Sequence, residues 1–251
     1  ERFVVAAHYS SGDFSIIPVA EDGQLETVAQ VIVHKGSSLV PSRQKEPHVH
    51  AAIFNPKDGN LFIADLGTDE VVVYDFDSKK EEPLNPEPIF SLKVAPGAGP
   101  RHMVFNEAAD RLYLIHEISA EVGVYDYNNG ELKHIATHQL TNDDFDGNVG
   151  AAEVRLSPDG KFLYASNRGD ANEIIVFKIV DNGDLDHVQT ISSGGKSPRN
   201  FNITLDGKYL LAGNQGSNSI IVFERDMVTG EIKPTEIQTE IHKPVYINFL
   251  P

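Results

Sequence analysis

Residues 50–76, "HAAIFNPKDGNLFIADLGTDEVVVYDF", lie over residues 101–127, "RHMVFNEAADRLYLIHEISAEVGVYDY", without a gap. The same frame fits "AEVRLSPDGKFLYASNRGDANEIIVFK" (152–178) and "RNFNITLDGKYLLAGNQGSNSIIVFER" (199–225). Unit starts at 50, 101, 152 and 199 step by 51, 51 and 47 residues, and "VYINFL" opens a fifth start at Val245. Each unit reads strand, D-G-type turn, strand, polar loop and strand. A second turn such as "NNGEL", "DNGDL" or "VTGEI" then leads into a last strand. Short Val/Ile/Phe/Tyr-rich runs repeating in phase, with almost no 3.6-residue periodicity, predict an all-β propeller of four-stranded antiparallel blades. About five blades' worth of strands are present, in one domain over 1–251. The chain enters at the second strand of a blade (Phe3–His8) and leaves at the first strand of another (Val245–Leu250). Those two pieces either complete one blade of a five-bladed ring or belong to a larger ring lacking about two N-terminal blades.

Bulk properties narrow the function classes. With 37 acidic and 21 basic residues the net charge is −16, which argues against nucleic acid and anionic membrane as partners, since both need a basic surface. A small anion stays compatible if the few arginines gather in one place. No cysteine is present, which removes disulfides, cysteine-ligated zinc and a thiol nucleophile together. No apolar run is long enough to span a bilayer. The expected compartment is the cytoplasm, or the periplasm if a signal segment precedes "ERFVVAAHY".

Aligned units give equivalent positions, and equivalent positions in a propeller converge. The first-strand slot holds His50, Arg101, Ala152, Arg199 and Val245. The slot closing the second strand holds Tyr9, Leu66, Glu117, Arg168 and Gln215, preceded by His8, Asp65, His116, Asn167 and Asn214. His50, Arg101, Glu117, Arg168 and Arg199 are therefore expected at one end of the central channel. Three arginines beside a carboxylate and an imidazole suit anion binding with acid–base chemistry. Either Glu117 or His50 is expected to take the proton from attacking water, although three neighbouring arginines oppose protonation of Glu117. Arg101 and Arg168 are expected to hold the oxyanion or grip the substrate, and Arg199 to meet a phosphate or carboxylate. Tyr9, His102 and His116 complete the expected substrate-binding set.

Other motifs carry less. His48 and His50 have H-x-H spacing on a strand, but no carboxylate repeats nearby at ligand spacing, so no metal is expected. "GAGP" (97–100) precedes no helix and reads as an inter-blade turn. "NDDFDG" (142–147) lacks the terminal Glu of a calcium loop, and Ser10-Ser11-Gly12 has no nucleophile-elbow context.

The segments "PHVHAAIFNP", "GAGPRHMVFN", "YLIHE", "AAEVRLSPDGKFLYASNRG" and "KSPRNFNITLDGKYLLAGNQ" together resemble the seven-bladed propeller lactonase family. Its bacterial members include 6-phosphogluconolactonases, and a fungal relative is the carboxy-cis,cis-muconate cyclising enzyme. The resemblance spans essentially the whole chain and implies a seven-bladed ring. It implies a metal-free, cofactor-free hydrolysis of a sugar δ-lactone, 6-phosphoglucono-δ-lactone of the pentose phosphate pathway first. The alternatives are muconate-type cyclisation and a non-enzymatic protein-binding propeller. The family's site of His, Arg, Glu and Arg falls on His50, Arg101, Glu117 and Arg168. The family often has Asn before the Glu, where this chain has His116.

Overall fold

A computed structural model describes residues 2–128, 130–142 and 144–249. Apolar runs that a D-G turn folds back on themselves form antiparallel ladders, and the ladders group into five sheets. The first is three-stranded: β1 (Phe3–His8), β2 (Asp13–Pro18) and β3 (Gln30–Val33). The second holds β4 (Val49–Phe54), β5 (Leu61–Asp65), β6 (Glu70–Tyr74) and β7 (Phe90–Lys93). The third holds β8 (Pro100–Phe105), β9 (Arg111–His116), β10 (Glu121–Asn128) and β11 (Glu131–Gln139). The fourth holds β12 (Ala151–Leu156), β13 (Phe162–Asn167), β14 (Glu173–Ile179) and β15 (Leu185–Ser192). The fifth holds β16 (Pro198–Ile203), β17 (Tyr209–Asn214), β18 (Ser219–Arg225) and β19 (Ile232–Glu240). All pairings run in chain order, as propeller blades require.

The core lies between neighbouring sheets, and strand periodicity decides which residue faces which neighbour. Along β5, Leu61 and Ile63 pack with Phe14 and Ile16 of the first sheet. Phe62 and Ala64, between them in sequence, pack instead with Leu112 and Leu114 of the third. On β9, Tyr113 and Ile115 turn the other way, towards Leu163 and Ala165. A central strand is therefore apolar on both faces, which is why "LFIA" and "LYLI" read as unbroken hydrophobic runs. Outermost strands are more open: β7 alternates half-buried with exposed residues, and β15 has a single buried residue, Leu185. Burying a side chain such as Phe62 fully contributes about 1.5–3 kcal/mol, so these inter-sheet clusters dominate the fold's stability.

The fifth repeat start carries no strand among the described residues. Residues 245–249 form no strand, and Leu250 lies outside the described residues. A strand needs a ladder partner, and the first sheet's β1 pairs only with β2 among the described residues. The segment instead leans on β16: Asn200 Oδ1 accepts the Ile247 N–H at 2.7 Å, and Asn202 Nδ2 donates to the Ile247 carbonyl at 3.1 Å.

Candidate active site

Each innermost strand carries a break in its register: between Val49 and Ala51, Pro100 and Met103, Ala151 and Val154, and Pro198 and Asn200. A bulge re-aims side chains that strict alternation would send to opposite faces. All four breaks fall on the first-strand slot, at His50, Arg101–His102, Ala152–Glu153 and Arg199. Consecutive residues Arg101 and His102 both reach the channel for this reason.

The site grows around Glu117, which is 6% exposed. Its Oε2 accepts from Arg101 Nε at 2.8 Å and from Arg168 Nη2 at 3.0 Å, and its Oε1 from Arg43 Nη2 at 2.5 Å. Arg101 is 1% exposed and its Nη1 also donates to the Ala152 carbonyl at 2.6 Å. Arg168 Nε donates to the Gly150 carbonyl at 2.8 Å. Gly169, which follows Arg168, has φ +74°, and a Cβ there would sit 2.1 Å from the Asn148 carbonyl oxygen. Only glycine permits that crossing of the two chains, which sets the angle at which Arg168 enters.

Arg43 came from no repeat slot. It sits on the loop joining β3 to β4, and its neighbour Gln44 explains how it reaches the site. Gln44 is fully buried; its Nε2 donates to the Leu66 carbonyl at 2.9 Å and its Oε1 accepts the Val40 N–H at 3.0 Å. That double bond pins the loop and leaves Arg43 to bridge Glu117 and, at 3.4 Å, the Tyr9 hydroxyl. A glutamine in a polar stretch, "SRQKE", was the only trace in the sequence.

The charges decide protonation. Burial alone would raise the Glu117 carboxyl, but Arg168, Arg101 and Arg43 outweigh it and hold it at about 2. Burial draws the Arg101 guanidinium down to about 10, with Glu117 opposing and Arg168 and Arg199 adding to the shift. His50, whose Nε2 lies 3.9 Å from Glu117 Oε2, is held neutral: burial first, then Arg101 and His102, push it down to about 2. Three guanidiniums (Arg43, Arg101 and Arg168) thus share the Glu117 carboxylate, and Arg199 adds to the lowering of Arg101 and Arg168. Arg199 is half-buried and makes no ion pair among the described residues.

The remaining sequence-derived residues divide. Tyr9 belongs to the site, stacked on His48 with ring centroids 4.4 Å apart and edge-on to His50 at 5.5 Å. His48 Nδ1 bonds the Tyr9 carbonyl at 2.8 Å, so the H-x-H pair does not converge on a common point. His102 lines the channel, its ring 5.1 Å from that of His50. His116 does not join them. Strand alternation turns it away from Glu117 into the blade, where it is 3% exposed with Nδ1 3.7 Å from Glu121 Oε2. Its slot is a structural one: Asp65 Oδ1 accepts the His48 N–H at 2.8 Å and Asn167 Oδ1 the Gly150 N–H at 3.0 Å, each tying a strand end to the approach of an innermost strand. No three His, Asp or Glu side chains gather as a metal-ligand group among the described residues.

Comparison with known proteins agrees with this architecture. The model of the family "Lactonase, 7-bladed beta-propeller" matches residues 1–249. A 6-phosphogluconolactonase of Formosa agariphila is 34% identical over 92% of this chain and 66% of its own length. The 6-phosphogluconolactonase of Bacillus subtilis is 33% identical over 99% of this chain and 70% of its own. Among solved structures, the periplasmic gluconolactonase of Pseudomonas aeruginosa superposes with a TM-score of 0.94 at 36% identity, covering 100% of this chain and 70% of that one. This chain spans about two thirds of the length of these relatives. It belongs to the seven-bladed β-propeller lactonase family.

Proposed function

We propose that the channel-mouth site hydrolyses the ring ester of an anionic sugar δ-lactone, 6-phosphoglucono-δ-lactone first among them, and that the whole domain is a seven-bladed ring of which this chain carries about five blades. The observation that carries the reading is that three arginines, Arg43, Arg101 and Arg168, share the one carboxylate Glu117 while Arg199 stands close enough to lower Arg101 and Arg168, in a chain of net charge −16. Such an excess of positive charge is stabilised by a bound anion. Relatives named 6-phosphogluconolactonase, similar over most of the chain, support the same substrate class.

When water attacks the lactone carbonyl, charge develops on its oxygen, and a guanidinium already held in place stabilises it without reorganising. Arg168, partly exposed and clamped by Gly150 and Glu117, takes that oxyanion. Arg101 lies behind it as a buried support, and Arg199 takes the phosphate. Glu117 is the counter-charge that orients Arg43, Arg101 and Arg168. A carboxyl held at about 2 is a poor proton acceptor at neutral pH, so the base is a channel histidine. The test is to follow ring opening of 6-phosphoglucono-δ-lactone and of glucono-δ-lactone against their spontaneous rates. Acceleration of the phosphorylated lactone supports the reading, and absence of acceleration for both refutes it.

A further inference from the structure

Glu153 is a buried carboxylate, 4% exposed, for which the repeat slots and the mechanism above have no use. It occupies the channel wall one blade on from His102, and it joins three blades. Its Oε1 lies 3.2 Å from His102 Nδ1, and its Oε2 accepts from Asn200 Nδ2. Arg155 Nε stands 3.6 Å from Oε1. Burying a carboxylate costs several kcal/mol unless partners offset it, and here the partners are arranged so that one oxygen faces an imidazole.

The other side of that imidazole is open. The His102 side chain keeps 28% exposure and borders a cavity of about 370 Å³ that His50, Glu153 and Arg155 also line. A volume of that order accommodates a hexose-sized ligand. Arg101 Nη1 is nearly equidistant from His102 Nδ1 and Nε2, at 3.3 and 3.2 Å. Equal approach to both nitrogens puts the guanidinium over the ring face, so the in-plane lone pair of Nε2 is not occupied by it.

We infer that His102 is the general base of the hydrolysis and that Glu153 is the positioning residue that fixes its tautomer, with Nδ1–H donated to Glu153 and Nε2 turned to the substrate cavity. This rests on the lactone reading above. Nε2 takes a proton from water while the water oxygen bonds to the lactone carbonyl carbon and the carbonyl π pair moves to oxygen. Collapse of the tetrahedral intermediate reforms C=O and breaks the bond from carbon to ring oxygen, which takes the proton back from Nε2. The new carboxylic acid then ionises to solvent.

The charged groups facing His102 are Glu153 and Arg155 on β12, His50 on β4 and Arg101 beside it on β8. Burial lowers the imidazole, the hydrogen bond it donates to Glu153 opposes that, and the two arginines add to the lowering. A lowered imidazole is neutral at pH 7, the form that can accept a proton.

The experiment compares the parent, His102→Ala and Glu153→Gln in steady-state hydrolysis of 6-phosphoglucono-δ-lactone across pH. His102→Ala is expected to lower kcat on the order of 10²-fold or more with little change in KM, and added imidazole to restore part of the loss. Glu153→Gln keeps an oxygen for Nδ1–H but loses the charge that stabilises imidazolium, so the acid limb of the rate profile moves to lower pH. Full kcat in His102→Ala overturns the assignment. So does a loss that imidazole cannot restore together with an unmoved acid limb in Glu153→Gln, which marks a structural role. Should Glu153→Gln fail to fold, the imidazole rescue of His102→Ala decides alone. A parent with no activity sinks the lactone reading and this assignment with it. An active parent with a dispensable His102 sinks only the latter.

Discussion

Arg101 and Glu117, the start of one strand and the end of the next in a single blade, form a buried ion pair with Nε and Oε2 2.8 Å apart. Removing one member of such a pair leaves the other charge uncompensated, which typically costs about 3–5 kcal/mol. Glu117→Gln is expected to lose stability of that order and to regain part of it in inorganic phosphate, because a bound anion replaces the lost charge. Denaturant unfolding with and without phosphate checks this. A variant as stable as the parent, or one indifferent to phosphate, contradicts it.

Acid sensitivity follows from the same cluster. Glu117 ionises at about 2 in the fold against an ordinary 4.5, a depressed value, so its contribution is complete above about 4.5 and is lost as pH falls towards 2. His50 is also depressed, from 6.5 to about 2, but it is a base. Below pH 6.5 the unfolded chain binds a proton that the native chain refuses, so stability falls from there downward; His102, lowered by burial, acts in the same direction. Between pH 7.5 and 4.5 the histidines act and Glu117 scarcely does. His50→Gln is expected to shrink the drop in melting temperature across that interval, and an undiminished drop argues against a buried neutral His50.

Gln44 offers a test of positioning without touching the charges. Gln44→Ala deletes a buried side chain and two hydrogen bonds, at a cost of about 1–3 kcal/mol. It also frees Arg43 from its place beside Glu117. The expected kinetic signature is a raised KM with kcat less affected, close to that of Arg43→Ala. Kinetics equal to the parent's separate the loop from the site.

Most of the fold was legible because repetition in phase converts weak strand signals into a strong one. The first strand over Phe3–His8 and the unbroken "LFIAD" and "LYLIH" runs stand where the repeat puts them. Val245 shows the limit: the repeat frame marks a start, but a strand exists only where a neighbour completes the ladder. In the site, His50, Arg101, Glu117 and Arg168 came from equivalent positions. His116, next to Glu117 in sequence, lies apart from the cluster because alternation turns the two side chains to opposite sides. Arg43 was hidden by lying on a loop outside the repeat. Glu153 was hidden by the bulge, which brings two consecutive residues into the channel where regular pleating allows one.

Arg199 is the least encumbered of the four arginines, half-buried and without an ion pair among the described residues. Arg199→Gln is expected to raise KM for 6-phosphoglucono-δ-lactone about tenfold and to leave glucono-δ-lactone almost unchanged. Equal effects on the two lactones place the phosphate elsewhere.

The central claim is that clustered guanidiniums at the channel mouth make this propeller a lactonase for an anionic substrate. Its most direct test is the initial rate of 6-phosphoglucono-δ-lactone hydrolysis by the parent and by Arg168→Ala, each corrected for spontaneous opening. The account predicts strong acceleration by the parent and a loss on the order of 10²-fold in kcat for the variant, as for removal of one oxyanion donor. A parent rate equal to the spontaneous one, or a variant as fast as the parent, contradicts it.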